Sequence, residues 1–208
     1  VQVFYLGDYF KSEFLPRHYF LVYFFATTSL LLSAIIALGM FQIILRFIKR
    51  LINIDKNDSY KDIWRSKKEK IFLFIFFTII TPIFLIYLFD SRLFNGWRHL
   101  FFLFPLLILT GIYFIDIMSL TYSSKKTLFL FTSLLVIICA NNLFNLVKLH
   151  PHQYIYFNSI FEKKANELFE IDYWGVSNKN SLENIVKRNL EKDKIIIGVA
   201  SFTNLYLS

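Results

Sequence analysis

Four apolar stretches, each long enough to cross a bilayer, constrain this chain more than any other feature. They run from about Tyr19 to Phe47, Ile71 to Phe89, Leu100 to Leu120 and Thr127 to Val147, with no Lys or Arg in their interiors. Spanning a hydrocarbon core takes about 20 helical residues. Nothing in that core solvates a backbone amide, so stretches of this kind satisfy their own hydrogen bonds as helices. The fold class expected is therefore an all-α transmembrane bundle of four helices. Pro82 and Pro105 fall inside two of them, and each should bend its helix, because proline lacks an amide and its ring crowds the preceding turn. Composition agrees, with 56% of the 208 residues hydrophobic and 18% charged. Soluble domains hold nearer about 25% charged residues.

The distribution of charge orients the bundle. The link between the first two stretches carries Arg46, Lys49, Arg50, Lys56, Lys61, Arg65, Lys67, Lys68 and Lys70, and the last link carries Lys125 and Lys126. The remaining link holds only Arg92 and Arg98. By the positive-inside rule the two basic links face the cytoplasm. The expected organisation is then an outer-face segment at 1–18, a transmembrane region at 19–147 with a basic cytoplasmic loop at 48–70, and an outer-face tail at 148–208. In a bacterial cell this means a multi-pass inner membrane protein with its N-terminus and tail in the periplasm. The net charge of +8 is accounted for by topology and by contact with anionic membrane lipid, which removes the case for nucleic acid.

The tail reads as a small α/β piece. SLENIVKRNLEKDK puts Leu182, Ile185, Val186 and Leu190 on one helical face, and IIIGVAS reads as a short buried strand. One strand closes no sheet, and the chain opens on Val1 with no signal-like segment, so a truncated tail and a missing upstream part are both expected. Cys139 is the single cysteine, so no disulfide forms within the chain and no cysteine-based metal site can be built. A divalent metal is left open, because no recognisable site encodes one.

Three polar motifs should meet on the outer face: LPRHY at 15–19, NGWRH at 95–99 and HPHQYIYFN at 150–158. They hold all four histidines. Arg98 offers a permanently charged planar fork suited to phosphate, and His99 adds a donor beside it. The alternative is an aromatic belt of Trp97, Tyr19, Tyr154 and Tyr156 in which Arg98 only snorkels to the interface. Asn141 and Asn145 share a helix face and either line a polar cavity beneath the Arg98–His99 mouth or join helices by hydrogen bonds. Glu170 and Asp172 are candidates for acid–base work only if that segment is extended; a turn at Gly175 is the simpler reading. Asp116 reads as interfacial. No catalytic triad, P-loop or dinucleotide fingerprint is present.

Four motifs in order resemble a known group. RHLFFLFPLLIL looks like a late helix of bacterial GT-C class membrane glycosyltransferases, related to the dolichyl-phosphate-mannose protein mannosyltransferases (family 39-like). LPRHY resembles an LPWHY-type sequence, HPHQYIYFN an HPYxYxYFN sequence, and ELFEIDYWGVS an E-x-DYWG-x-S sequence, with Arg17 and His152 departing from the usual Trp and Tyr. The resemblance covers the C-terminal half of such an enzyme. It implies a polyprenyl-phosphate sugar donor, an acceptor that is a lipid, glycan or protein, and a catalytic acidic residue upstream of Val1. Substrate-binding residues would be Arg98, His99, His18, Tyr19, His150, Tyr154, Asn141 and Asn145, with no catalytic residue and no metal ligand in the chain. The competing expectation is a non-enzymatic membrane scaffold or sensor whose tail binds an outer-face partner. A transporter fits less well, since four helices without inverted repeats lack the usual midplane site.

Overall fold

The computed structural model of the chain describes residues 2–52, 67–122, 124–172, 175 and 177–189, without the side chains of 127, 128 and 177. It is mostly helical, with four helices long and apolar enough to cross a membrane and one small hairpin. The hairpin comes first. Strands β1 (Gln2–Tyr5) and β2 (Asp8–Lys11) pair antiparallel, Val3 opposite Phe10 and Tyr5 opposite Asp8. The turn between them, Leu6–Gly7, has both residues at positive φ, the geometry of a two-residue hairpin turn. Alternation puts Val3 and Tyr5 inward, and both are fully buried.

The apolar run from Tyr19 to Phe47 is two helices rather than one span. Helix α1 (Tyr19–Thr27) stops where Thr28 becomes extended, and α2 (Leu30–Ile52) begins two residues later. The Thr27–Thr28–Ser29 triple supplies hydroxyls that compete with helical bonding, and this is the sequence cue for the break. α1 buries Tyr19, Phe20, Tyr23, Phe24 and Ala26, while the bilayer-length element is α2. The second span is α3 (Lys67–Leu88), which continues through Pro82. The third begins as a 3-10 turn, Arg98–Leu103, and becomes α4 (Phe104–Thr121). Pro105 lies in the first turn of α4, where a missing amide costs no helical bond, so it marks a junction instead of a bend within the helix. The fourth is α5 (Lys125–Lys148).

α4 is the hub. Ile43 of α2 packs with Tyr113 and Ile117 of α4 and with Phe72, Leu73 and Phe76 of α3. Ile35 of α2, Ile115 of α4 and Ile138 of α5 form a second, smaller cluster. α2 and α4 touch backbone to backbone: a Cβ on Gly39 would fall inside the Thr110 carbonyl, and one on Gly111 would lie 3.0 Å from Ile35 Cγ2. Small residues allow such an approach, and close packing is what holds helices together in lipid. At the end of the bundle away from the motifs, Arg46 and Arg50 share one oxygen of Glu69 at 3.0 and 3.2 Å, and Lys68 pairs with Asp116.

After α5 the tail forms single 3-10 turns at Gln153–Ile155 and Glu162–Lys164, a short helix α6 (Ala165–Leu168) and α7 (Ser177–Arg188). Phe169 makes an antiparallel bridge with Tyr5, so the tail docks beside the hairpin. In α7 Leu182 is buried, whereas Ile185 and Val186 are 37% and 40% exposed. The expected continuation to Leu190 and the IIIGVAS strand lie outside the described residues.

Candidate functional site

The described residues of the four motifs meet at one end of the bundle under a roof of aromatic rings. Tyr5 from the hairpin, Tyr19 and Tyr23 from α1, and Phe157 and Phe169 from the tail form one core with Trp97 from the loop before the third span. Tyr23 and Phe169 meet edge to face at 4.9 Å, and Phe157 stacks on Phe169 at 5.1 Å. Polar bonds fix how the pieces dock. Gly96 N–H donates to the Tyr19 hydroxyl at 3.1 Å, and Trp97 Nε1 donates to Thr27 Oγ1 at 2.8 Å. Gly96 has φ +69°, and a Cβ there would meet the Tyr23 ring at 3.4 Å, so the loop needs glycine at that point. Asn158, 1% exposed, donates through Nδ2 to the Phe25 and Thr28 carbonyls left open where α1 ends. Its own backbone N–H donates to Ala26 O at 2.8 Å.

Arg98 and His99 stand beside this roof and share one ring. The Arg98 guanidinium carbon lies 4.7 Å from the Phe94 centroid, and the His99 ring meets Phe94 edge to face at 4.8 Å. Arg98 is half-buried and His99 exposed. Both open the third span, where the positive end of the helix dipole adds to the charge of the guanidinium. That combination attracts anions.

Asn141 and Asn145 do line a cavity, of about 450 Å³, but Arg98 and His99 are not part of it. It lies between the first turn of α2 (Ser29 to Leu31), the last turns of α5 and the tail from Ile155 to Ile171. Lys148 and Glu162 both line it and approach to 3.7 Å. The difference from the sequence expectation is one of helix identity. The asparagines end the fourth span facing α2, whereas Arg98 opens the third span against Phe94.

The other predicted residues are dispersed around the same end. Tyr19 is fully buried with its hydroxyl engaged by Gly96, and belongs to the roof. His18 is exposed just ahead of α1, with its ring 5.7 Å from Tyr5. His150 Nδ1 is 2.9 Å from Gln153 Nε2, and His152 Nε2 is 3.3 Å from Asn180 Nδ2. Among the described residues, no three His, Cys, Asp or Glu side chains gather closely enough to hold a metal ion. The Tyr154 hydroxyl donates to Asp172 Oδ1 at 2.6 Å. Glu170 is half-buried, its Oε2 has no hydrogen-bond partner, and burial pushes its carboxyl above the usual carboxylate range.

Three features of this end escaped sequence reasoning: the hairpin, the break at Thr28 and the anchoring by Asn158. Val3 and Tyr5 flanking a Leu-Gly turn, and the Thr-Thr-Ser triple, were local signals for the first two. Asn158 has none, because its partners lie 133 and 130 residues away in sequence. No known protein family, curated protein or solved structure matches the chain. What stands is a multi-pass pattern of four apolar helices with a built polar and aromatic assembly at one end.

Proposed function

We propose that the chain forms part of an integral membrane glycosyltransferase that moves a sugar from a polyprenyl-phosphate donor to an acceptor at the aromatic end of the bundle. The observation that carries this reading is the convergence of residues from LPRHY, NGWRH and HPHQYIYFN with Phe169 and Ile171 on one roof, with Arg98 held beside it. A chain that only crosses the membrane has no need to fasten its hairpin, loop and tail to one another. By charge distribution this end is periplasmic.

In the proposed reaction an acceptor O–H or N–H attacks the anomeric carbon, and the bond from that carbon to the phosphate oxygen breaks. The phosphate leaves with the bonding pair, and an acidic residue of the kind the glycosyltransferase resemblance implies takes the acceptor's proton. Arg98 stabilises the charge that develops on the departing phosphate, and His99 supplies a further donor. The scaffold reading is favoured by one feature, the exposed Ile185 and Val186 on α7, which suit a protein partner.

The test is Arg98→Ala in the native polypeptide, assayed in membranes with a lipid-linked sugar donor. Transfer should fall on the order of 100-fold, as when a preorganised donor to a developing anion is removed, with membrane insertion unchanged. Normal transfer by that variant removes the phosphate role. Unaltered lipid-linked sugar pools on deleting the protein favour the scaffold.

A further inference from the structure

The cavity between α2, α5 and the tail differs chemically from the Arg98 site. Asn141 and Asn145 come from α5, Asn166 from α6 and Ser159 from the tail. Among the described residues the amides of Asn141, Asn145 and Asn166 form no side-chain hydrogen bond. Ser29, 5% exposed, also lines the cavity, and its Oγ has no hydrogen-bond partner. That hydroxyl is sealed from the open space, whereas Asn141, Asn166 and Ser159 are exposed and Asn145 half-buried, so their polar groups are open to an incoming ligand. Groups able both to donate and to accept are what this lining offers.

Charge gives an anion no advantage in the same space. Lys148, the one cationic side chain among its described lining residues, faces Glu162 across 3.7 Å, so the pair is neutral in sum. α5 ends here, and the carbonyls of its last turn present the negative end of the helix dipole. A phosphate would meet a paired lysine and that dipole; a neutral polyol meets matched donors and acceptors. The lining on the span side is apolar, with Leu30, Leu31 and Leu149, and Phe144 and Val147 stand exposed at 66% and 68% on neighbouring faces of α5.

We propose that this cavity binds an uncharged, hydroxyl-rich headgroup, a glycosyl group, through the amides of Asn141, Asn145 and Asn166 and the Ser159 hydroxyl. The assignment rests on the cavity and stands whether or not Arg98 reads a phosphate. The apolar span side suits a glycolipid whose acyl chains lie along α5. A free glycan carries the same headgroup chemistry.

The experiment places the full-length protein in phosphatidylethanolamine nanodiscs doped with monoglucosyl diacylglycerol and measures retained lipid by native mass spectrometry. Methyl glucoside in solution is the second arm, and phosphatidylglycerol the anionic competitor. Asn145→Leu suits an apolar span and should keep the fold; Ser159→Trp fills the cavity from an exposed tail position and leaves every span intact. Each should lower glycolipid retention about tenfold or more, the effect of about 1.4 kcal/mol, and Arg98→Ala should leave it within about twofold. If only methyl glucoside binds, with the same sensitivity to both variants, the headgroup assignment stands and its source is a free glycan. Wild-type retention by both variants, preference for phosphatidylglycerol, or no binding of either glucoside overturns it. Loss of transfer in Arg98→Ala with glycoside binding intact separates the two sites.

Discussion

The α2–α4 seam and the α2–α5 corner use the same kinds of apolar residue and reach opposite outcomes. At the seam, Gly39 and Gly111 let two backbones touch, and Thr110 is fully buried between them. At the corner, α5 meets the others through Phe131, Leu134 and Ile138, and above that contact its asparagines open onto the cavity. Lipid tails are as apolar as leucine, so burial alone does not draw helices together; close packing and polar bonds do. Where side chains permit backbone contact the helices close, and where amides project instead a polar space is left. Stability therefore belongs to the seam, and capacity for a ligand to the corner.

Enlarging one small residue in each region is the strongest way to break this comparison. Gly39→Leu should destabilise the bundle by about 3 kcal/mol or more, at or beyond the usual range for overpacking, read as a lower Tm in detergent. Ser159→Leu, at an exposed residue that lines the cavity of the corner, should stay within about 0.5 kcal/mol of wild type. Equal melting of the two variants would remove the distinction between seam and corner.

Asn158→Ala comes next, because it strips donors from the Phe25 and Thr28 carbonyls at the α1–α2 break. Leaving buried acceptors unpaired should cost about 2 kcal/mol. It should also raise hydrogen exchange at the Phe157–Glu162 backbone, while exchange along α4 stays as in wild type. Faster exchange along α4 would mean that the roof and the seam unfold as one.

A smaller, pH-dependent effect is expected at Glu170. Its folded carboxyl is raised by burial, so the folded state favours the protonated form. The stability that protonation contributes is full below the unfolded carboxylate range and is lost as pH rises through the raised folded value. Glu170→Gln, neutral at every pH, should raise Tm relative to wild type near pH 7 and lose that advantage near pH 4. A difference that is flat between those pH values would show that the carboxyl is not desolvated in the folded protein.

The number of spans and the polar character of one bundle end were legible in the sequence, because bilayer thickness and backbone desolvation act on composition alone. Run lengths of about 20 apolar residues, and a loop dense in Lys and Arg, carry that information locally. That Asn141 and Asn145 share a face was legible too, since i, i+4 spacing fixes it, but the spacing left a polar cavity and interhelical hydrogen bonds equally open. Run length could not show that Tyr19–Phe47 breaks at Thr28, because the break depends on Asn158 arriving from elsewhere in the chain to satisfy the carbonyls the helix end leaves open, with Trp97 held on the Thr27 hydroxyl. Nor could it separate Arg98 from the cavity. Which helix faces which is decided by the Gly39–Thr110 approach, a contact between residues that no local pattern links.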